Sequence, residues 1–143
     1  MRRRTRAREI AVQFLYQLDL RGDEVLEFLH EYVERDSADK DVRDFAIRLI
    51  QGSRRHQEAT DTRLREVTRN WDLSRMATLD RNVLRMAVFE LLHCPDIPPK
   101  VTINEAIEIG KKFSTQNSGA FINGILDRVR LDELEKTGPS QEG

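Results

Sequence analysis

Leu79-Asp80-Arg81-Asn82-Val83-Leu84-Arg85-Met86-Ala87-Val88-Phe89-Glu90-Leu91-Leu92-His93 decides the fold. Leu79, Val83, Leu84, Met86, Ala87, Val88, Leu91 and Leu92 fall on more than one side of a helix. A helix apolar over so wide an arc is a central one, packed by neighbours on several sides. The segments around it repeat the helical period more narrowly. Ala7, Ile10, Ala11, Phe14, Leu15 and Leu18 make a single stripe that ends near Arg21-Gly22, with the glycine as C-terminal cap. Val25, Leu26, Leu29 and Val33 mark a short second helix. A polar loop from Arg35 to Lys40 follows, with Ser37 or Asp39 as cap for a third helix over Val42, Phe45, Ala46, Leu49 and Ile50.

The pattern leaves open whether that third helix continues past Gly52 to Glu58. Thr60-Asp61 reads as a fresh start for a helix bearing Leu64 and Val67 and ending before Trp71. Ser74 and Thr78 are both cap candidates for the central helix. Downstream, Pro95, Pro98 and Pro99 break the chain. Thr102-Ile103-Asn104-Glu105 has the spacing of a capping box and predicts a helix through Phe113. A loop from Ser114 to Ser118 precedes a last helix over Phe121, Ile122, Ile125, Leu126 and Val129. Asn123-Gly124 has the composition of a hairpin turn, but the helical spacing continues across it, so Gly124 reads as a close helix–helix contact. The expectation is all-α: about seven helices in one domain over 1–143, with a frayed tail at 137–143.

Composition agrees. Of 143 residues, 38% are hydrophobic and 34% charged, with seven glycines, four prolines and 6% aromatics. That excludes a turn-rich β-sandwich and suits thin helices with wide solvated faces. Net charge is −1, from 24 basic and 25 acidic residues. Five arginines (Arg2, Arg3, Arg4, Arg6, Arg8) crowd into residues 1–8 with no acid among them. The rest of the chain therefore holds 19 basic against 25 acidic residues. This is an anion-binding arm on an acidic body.

Cys94, the lone cysteine, forms no internal disulfide and reads as a small buried residue. No apolar run approaches the ~20 residues that span a bilayer. The basic N-terminus is followed by no signal-peptide core, and a transit peptide is disfavoured by Glu9 and the lack of serine, so the chain reads as cytoplasmic.

Enzymatic motifs are missing. His30, His56 and His93 have no metal-ligand spacing with one another or with Cys94, and there is no HExxH, phosphate loop or GxSxG elbow. Carboxylate pairs such as Glu105 and Glu108 identify nothing in so acidic a chain. The sequence thus offers no catalytic residue, metal site or cofactor. The arginines, which bind phosphates bidentately, are the strongest functional feature, and Arg4 and Arg8 lie one turn apart. Tyr16 serves either to stack on a base or to pack against the core. Arg75, Arg81 and Arg85, beside Asp80, read on their own as a solvated face laced with ion pairs. No segment presents a clear DNA recognition helix.

Three stretches together resemble the NusB family. They are the arginine-rich start with Arg8-Glu9-Ile10-Ala11-Val12-Gln13-Phe14-Leu15-Tyr16; Leu79 to Ala87 with Glu90-Leu91-Leu92; and Pro98-Pro99-Lys100-Val101-Thr102-Ile103-Asn104-Glu105-Ala106-Ile107-Glu108. After the last come Lys111-Lys112-Phe113, Ser118 and Phe121-Ile122-Asn123-Gly124-Ile125-Leu126-Asp127. The resemblance runs from residue 2 to 130. It implies two helical bundles in one continuous domain that binds boxA RNA together with NusE, a small-subunit ribosomal protein. Such a complex helps RNA polymerase pass terminators, with no catalytic step or cofactor.

Carried over by position, the resemblance puts RNA contacts on Arg3, Arg4 and Arg6, on Tyr16, on Asp80 and Arg85, and on Asn117 and Phe121. This turns the second basic cluster into a candidate site. Phe121 also begins an apolar stripe and has a core reading. Two positions depart from the family pattern: Asn117, often acidic in relatives, and Gly110, usually alanine. Two other classes remain: a helical protein-interaction module or homodimer without specific RNA binding, and the NusB-like domain of a ribosomal RNA cytosine methyltransferase. The latter requires a glycine-rich α/β domain, which the stretch ending at Gly143 does not contain.

Overall fold

The computed structural model describes residues 2–69 and 72–142, with side chains described through Lys136. Trp71 lies outside the described residues, and the frayed tail expected over 137–143 lies outside the described side chains. Seven α-helices follow in order: α1 (Arg3–Arg21), α2 (Leu29–Asp36), α3 (Lys40–Arg55), α4 (Gln57–Thr68), α5 (Thr78–His93), α6 (Pro99–Phe113) and α7 (Ser118–Glu142). Short 3-10 segments at Asp23–Phe28 and Leu73–Arg75 lead into α2 and α5.

Helix α5 is the axle. Every residue from Asn82 to Glu90 is buried, and the helix packs against α1 and α3 on one side and α4, α6 and α7 on the other. The wide apolar arc is therefore explained by two bundles sharing one helix: α1–α3 and α4–α7. Their buried side chains form a single contiguous core. Burying a leucine such as Leu49 or Leu84, both fully inaccessible, contributes roughly 2–5 kcal/mol against alanine.

The ends of the elements show which local signals act. Gly22 adopts φ +90° and its N–H caps α1 on the Leu18 carbonyl, the conformation glycine adopts at least cost. Asp39, not Ser37, caps α3, accepting from the Asp41 N–H. Helix α3 does continue through Gly52, ending at Arg55. A Cβ at Gly52 would collide with the Phe89 ring, so this glycine lets α3 and α5 approach closely.

Four expectations are revised. Helix α4 starts at Gln57, immediately after the bend at His56, and Asp61 is turned inward as an ion-pair partner instead of opening the helix. Neither Ser74 nor Thr78 caps α5, whose N-cap is Ala77 without a side-chain bond. Helix α6 begins at Pro99, because proline's fixed φ and missing N–H suit the first helical position. Thr102 and Glu105 therefore lie inside the helix, and their side chains face the core network described below. Gly124 meets nothing within 4 Å; the close α6–α7 approach falls at Gly119, whose Cβ would sit 2.9 Å from Lys111 Cε, and at Gly110, where it would meet Ile122.

Candidate nucleic-acid interface

The arginine-rich start is not a free arm. Helix α1 already begins at Arg3, with no side-chain cap and no acidic residue in its first turn. Its unpaired N–H groups and its guanidiniums thus place like charge together, a local field that favours an anion. Each arginine then meets a different environment.

Arg3 is exposed and gripped by the start of α3. Its Nε and Nη2 donate to Asp39 at 2.8 and 2.9 Å, and Nη2 to Asp41 at 2.6 Å. This contact holds the Asp39 carboxyl down at about 2. Arg4 lies 4.3 Å over the Phe45 ring and 3.7 Å from Asp96. Asp96 is shared with Arg48, which donates at 3.0 Å and pulls that carboxyl below its ordinary range. Arg2, Arg3, Arg4, Phe45 and Arg48 line a groove of about 610 Å³ with Asp41 and Asp44 on its rim. Arg6 reaches Glu9 at 3.5 Å, and Lys112 donates to the same carboxylate at 2.9 Å. Lys112 is half exposed, so the C-terminal end of α6 adds a cation beside Arg6.

Arg8 departs from the expected basic surface. It is only 2% exposed, donating to both oxygens of Glu90 at 2.9 and 2.7 Å and to Glu105 at 3.0 Å. Thr102 donates to Glu90 at 3.0 Å, and Thr5 donates to Glu105. Burial opposes the charge on Arg8, but the two carboxylates outweigh it and leave the group more firmly protonated than usual. This network ties α1 to α5 and α6. It is scaffold, and it fixes the azimuth at which Arg3, Arg4 and Arg6 emerge.

Arg85 likewise points inward, 9% exposed. Asp61 takes two of its donors at 2.9 and 2.8 Å, and Asp19 a third at 3.2 Å. Arg81 and Asn82 converge on the same Asp19 oxygen at 3.0 and 2.9 Å. Burial works against the Asp19 carboxylate, but these donors prevail and lower its pKa. The geometry makes Arg85 a positioning residue joining α5 to α1 and α4, with its guanidinium engaged by Asp61 and Asp19.

The remaining expected contacts range from half-buried to exposed. Tyr16 is half-buried on α1, and Asp80 is half-buried at the start of α5. One Asp80 oxygen, Oδ1, is buried without a hydrogen-bond partner. Asn117 is exposed just before α7. Phe121, one turn on, is partly buried against the core. The structure thus gathers Arg3 and Arg4 with Arg48 beside α3, gathers Arg6 with Lys112, and withdraws Arg8 and Arg85. Sequence reasoning did not assign Arg48 or Lys112. Each reaches α1 from a distant helix, and no local spacing reports that.

Elsewhere, His56 and His93 stack with ring centroids 3.9 Å apart, against Phe89. Among the described residues, no three His, Cys, Asp or Glu side chains are gathered to hold a metal ion. No helix among them is long and apolar enough to cross a membrane.

Two helical bundles on one shared axle, with a guanidinium-rich helix start flanked by an aromatic ring, define a small all-α class of protein suited to anionic polymers. The NusB family profile matches residues 5–130, and the chain belongs to that family. It is 49% identical over 128 residues to the transcription antitermination protein NusB of Anaeromyxobacter dehalogenans strain 2CP-1, covering 89% of each chain. It is 45% identical over 142 residues to the protein of that name from Syntrophus aciditrophicus, covering 99% of this chain and 88% of the relative. Among solved structures, T. maritima NusB superposes with a TM-score of 0.80 at 38% identity, covering 97% of this chain and 95% of that one. A chain in the crystal structure of antitermination factors NusB and NusE with dsRNA gives 0.83 at 30% identity, covering 92% and 98%.

Proposed function

We propose that this protein is a transcription antitermination factor of the cytoplasm, binding boxA-type single-stranded RNA jointly with NusE within an RNA polymerase antitermination complex. The observation that carries the reading is the uncapped start of α1, where Arg3, Arg4 and Arg6 project from a helix whose azimuth is locked by the buried Arg8–Glu90–Glu105 network. Rigid cations beside aromatic faces are what single-stranded RNA requires. The relatives' shared name supports the antitermination role, and the solved NusB–NusE–dsRNA assembly supports joint action with NusE and RNA.

In this reading Arg3, Arg4 and Arg6 neutralise phosphates, assisted by Arg48 and Lys112. Tyr16 and Phe121 offer ring faces, and Asp80 and Asn117 offer polar groups to base edges. Arg85 acts from behind, by holding Asp19 and Asp61. The role requires no catalytic step and no cofactor.

The test is binding of boxA-type RNA against a scrambled control, with and without NusE, by wild type and by Arg4→Ala/Arg6→Ala. Preference for boxA, strengthened by NusE and lost in the variant at unchanged helix content, is expected. Loss of helicity in the variant would mean these arginines are structural.

A further inference from the structure

A second groove lies along α1, away from the arginines at its start. Phe14, Val25, Phe28 and Tyr32 make its apolar floor, and Arg21 and Arg35 stand at its rim, enclosing about 410 Å³ between α1, the 3-10 segment and α2. The Phe14 and Tyr32 rings meet edge to face at 5.2 Å, which fixes the floor. Phe28 is 51% exposed, a large aromatic with no core role. Arg35 lies 5.1 Å from the Tyr32 ring centre. Arg21 makes no ion pair among the described residues, unlike Arg3, which two carboxylates hold.

The groove is continuous with the proposed RNA surface. Arg6, Gln13 and Gln17 are spaced seven and four apart, so they share a stripe of α1, and Gln17 lines the groove. Tyr16, three residues from Gln13, is its neighbour on the helix surface. Arg6 and Arg21 mark the ends of a track ~22 Å long, enough for several nucleotides.

We propose that the Phe14–Phe28–Tyr32 groove is a second single-stranded RNA subsite, which takes a nucleobase against Phe28 and Tyr32 and its flanking phosphates on Arg21 and Arg35. The chemistry favours nucleic acid: an aromatic floor binds any base by its face, and at the rim the guanidinium of Arg21 binds phosphate, joined by Arg35, which is exposed and held only by its neighbour Asp36 at 3.7 Å. Glu31, also on the rim, repels phosphate at its own position but accepts from a base amine. The subsite rests on the antitermination reading above and extends it to nucleotides beyond the core element.

The experiment compares two probes, a short boxA-type RNA and the same RNA with single-stranded extensions on either side, using wild type, Phe28→Ala, Arg21→Gln and the control Leu134→Ala. Leu134 is 52% exposed on α7, so the control removes comparable apolar surface elsewhere. Wild type binds the extended RNA more tightly. Phe28→Ala and Arg21→Gln together erase that gain, roughly ten- to a hundredfold, and leave the short probe and the folded state unchanged. With 4-thiouridine in the extension, crosslinking falls on the tryptic peptide from Gly22 to Arg35, which holds both Phe28 and Tyr32.

Unaltered binding of extended RNA by both variants, or crosslinks confined to the start of α1, overturns the subsite. So does loss of NusE binding with RNA binding retained, which makes the groove a protein surface. Wild type binding neither probe overturns the antitermination reading and the subsite together, a result distinct from wild-type binding with indifferent variants.

Discussion

Glu90→Gln tests how the arginine face is held in place. The wild-type carboxylate is 1% exposed and sits among apolar side chains of α5. It accepts two bonds from Arg8 and one from Thr102. Glutamine keeps the shape but removes the charge and offers one acceptor oxygen where two are used. Arg8 then retains only Glu105 as an ionic partner while still buried. Breaking a buried pair by removing one partner costs roughly 3–5 kcal/mol, and the remaining bond to Glu105 puts this case near ~3.

For a domain of this size that loss is a large part of a total stability of about 5–15 kcal/mol, and it lowers Tm by roughly 10 °C. Urea denaturation followed by circular dichroism measures it. The paired replacement Arg8→Met/Glu90→Leu recovers most of the loss, because both charges leave together. A Glu90→Gln change under about 1 kcal/mol, or a double variant worse than the single, would refute the network as the anchor of α1.

Gly52→Ala costs about 1–3 kcal/mol in urea denaturation despite alanine's better helix propensity, because the new Cβ meets the packed Phe89 ring; Phe89→Leu relieves it. Burial and the stacked His56 lower the pKa of His93 beneath its ordinary 6.5, so the unfolded chain binds protons first. Stability is therefore complete above about 6.5 and falls as pH drops through the folded-state value; His93→Gln flattens that slope in thermal melts at stepped pH. Asp39→Asn/Asp41→Asn releases Arg3 and strengthens RNA binding a few-fold in an anisotropy titration. Asp44→Asn, which loses a carboxylate paired with Lys40, does so less, and in an Arg3→Ala background the gain vanishes.

Much of the architecture is legible in the sequence because burial leaves a periodic trace. The wide apolar arc over Leu79–His93 identifies the central helix, and Gly22 and Asp39 mark real boundaries through backbone chemistry that acts within a few residues. The misread boundaries share a cause: a side chain recruited by tertiary structure imitates a local signal. Thr102 and Glu105 have capping-box spacing, yet they serve Arg8 and Glu90 in the core. Thr60-Asp61 looks like a helix start, yet Asp61 serves Arg85.

The site divides in the same way. The cluster of arginines is plain from composition, but which of them face solvent depends on partners far along the chain. Glu90 is 82 residues from Arg8. A charge in an otherwise apolar stretch, as at Arg85 and Glu90, signals that a buried partner exists without saying where. Gly124 illustrates the converse, since helical spacing alone does not tell a glycine at a helix crossing from one facing solvent.

The central claim is that α1 presents a rigid cationic face to RNA phosphates, and the salt dependence of binding tests it most directly. The comparison is between wild type and Arg3→Ala/Arg4→Ala/Arg6→Ala, each with NusE and boxA-type RNA, over a salt series. For single strands the log–log slope is roughly −0.7 per neutralised phosphate, so the triple variant has a slope shallower than wild type by about 2, with weaker binding and unchanged helix content. Equal slopes in the two proteins would contradict the account, because the RNA would then be held by charges elsewhere on the molecule.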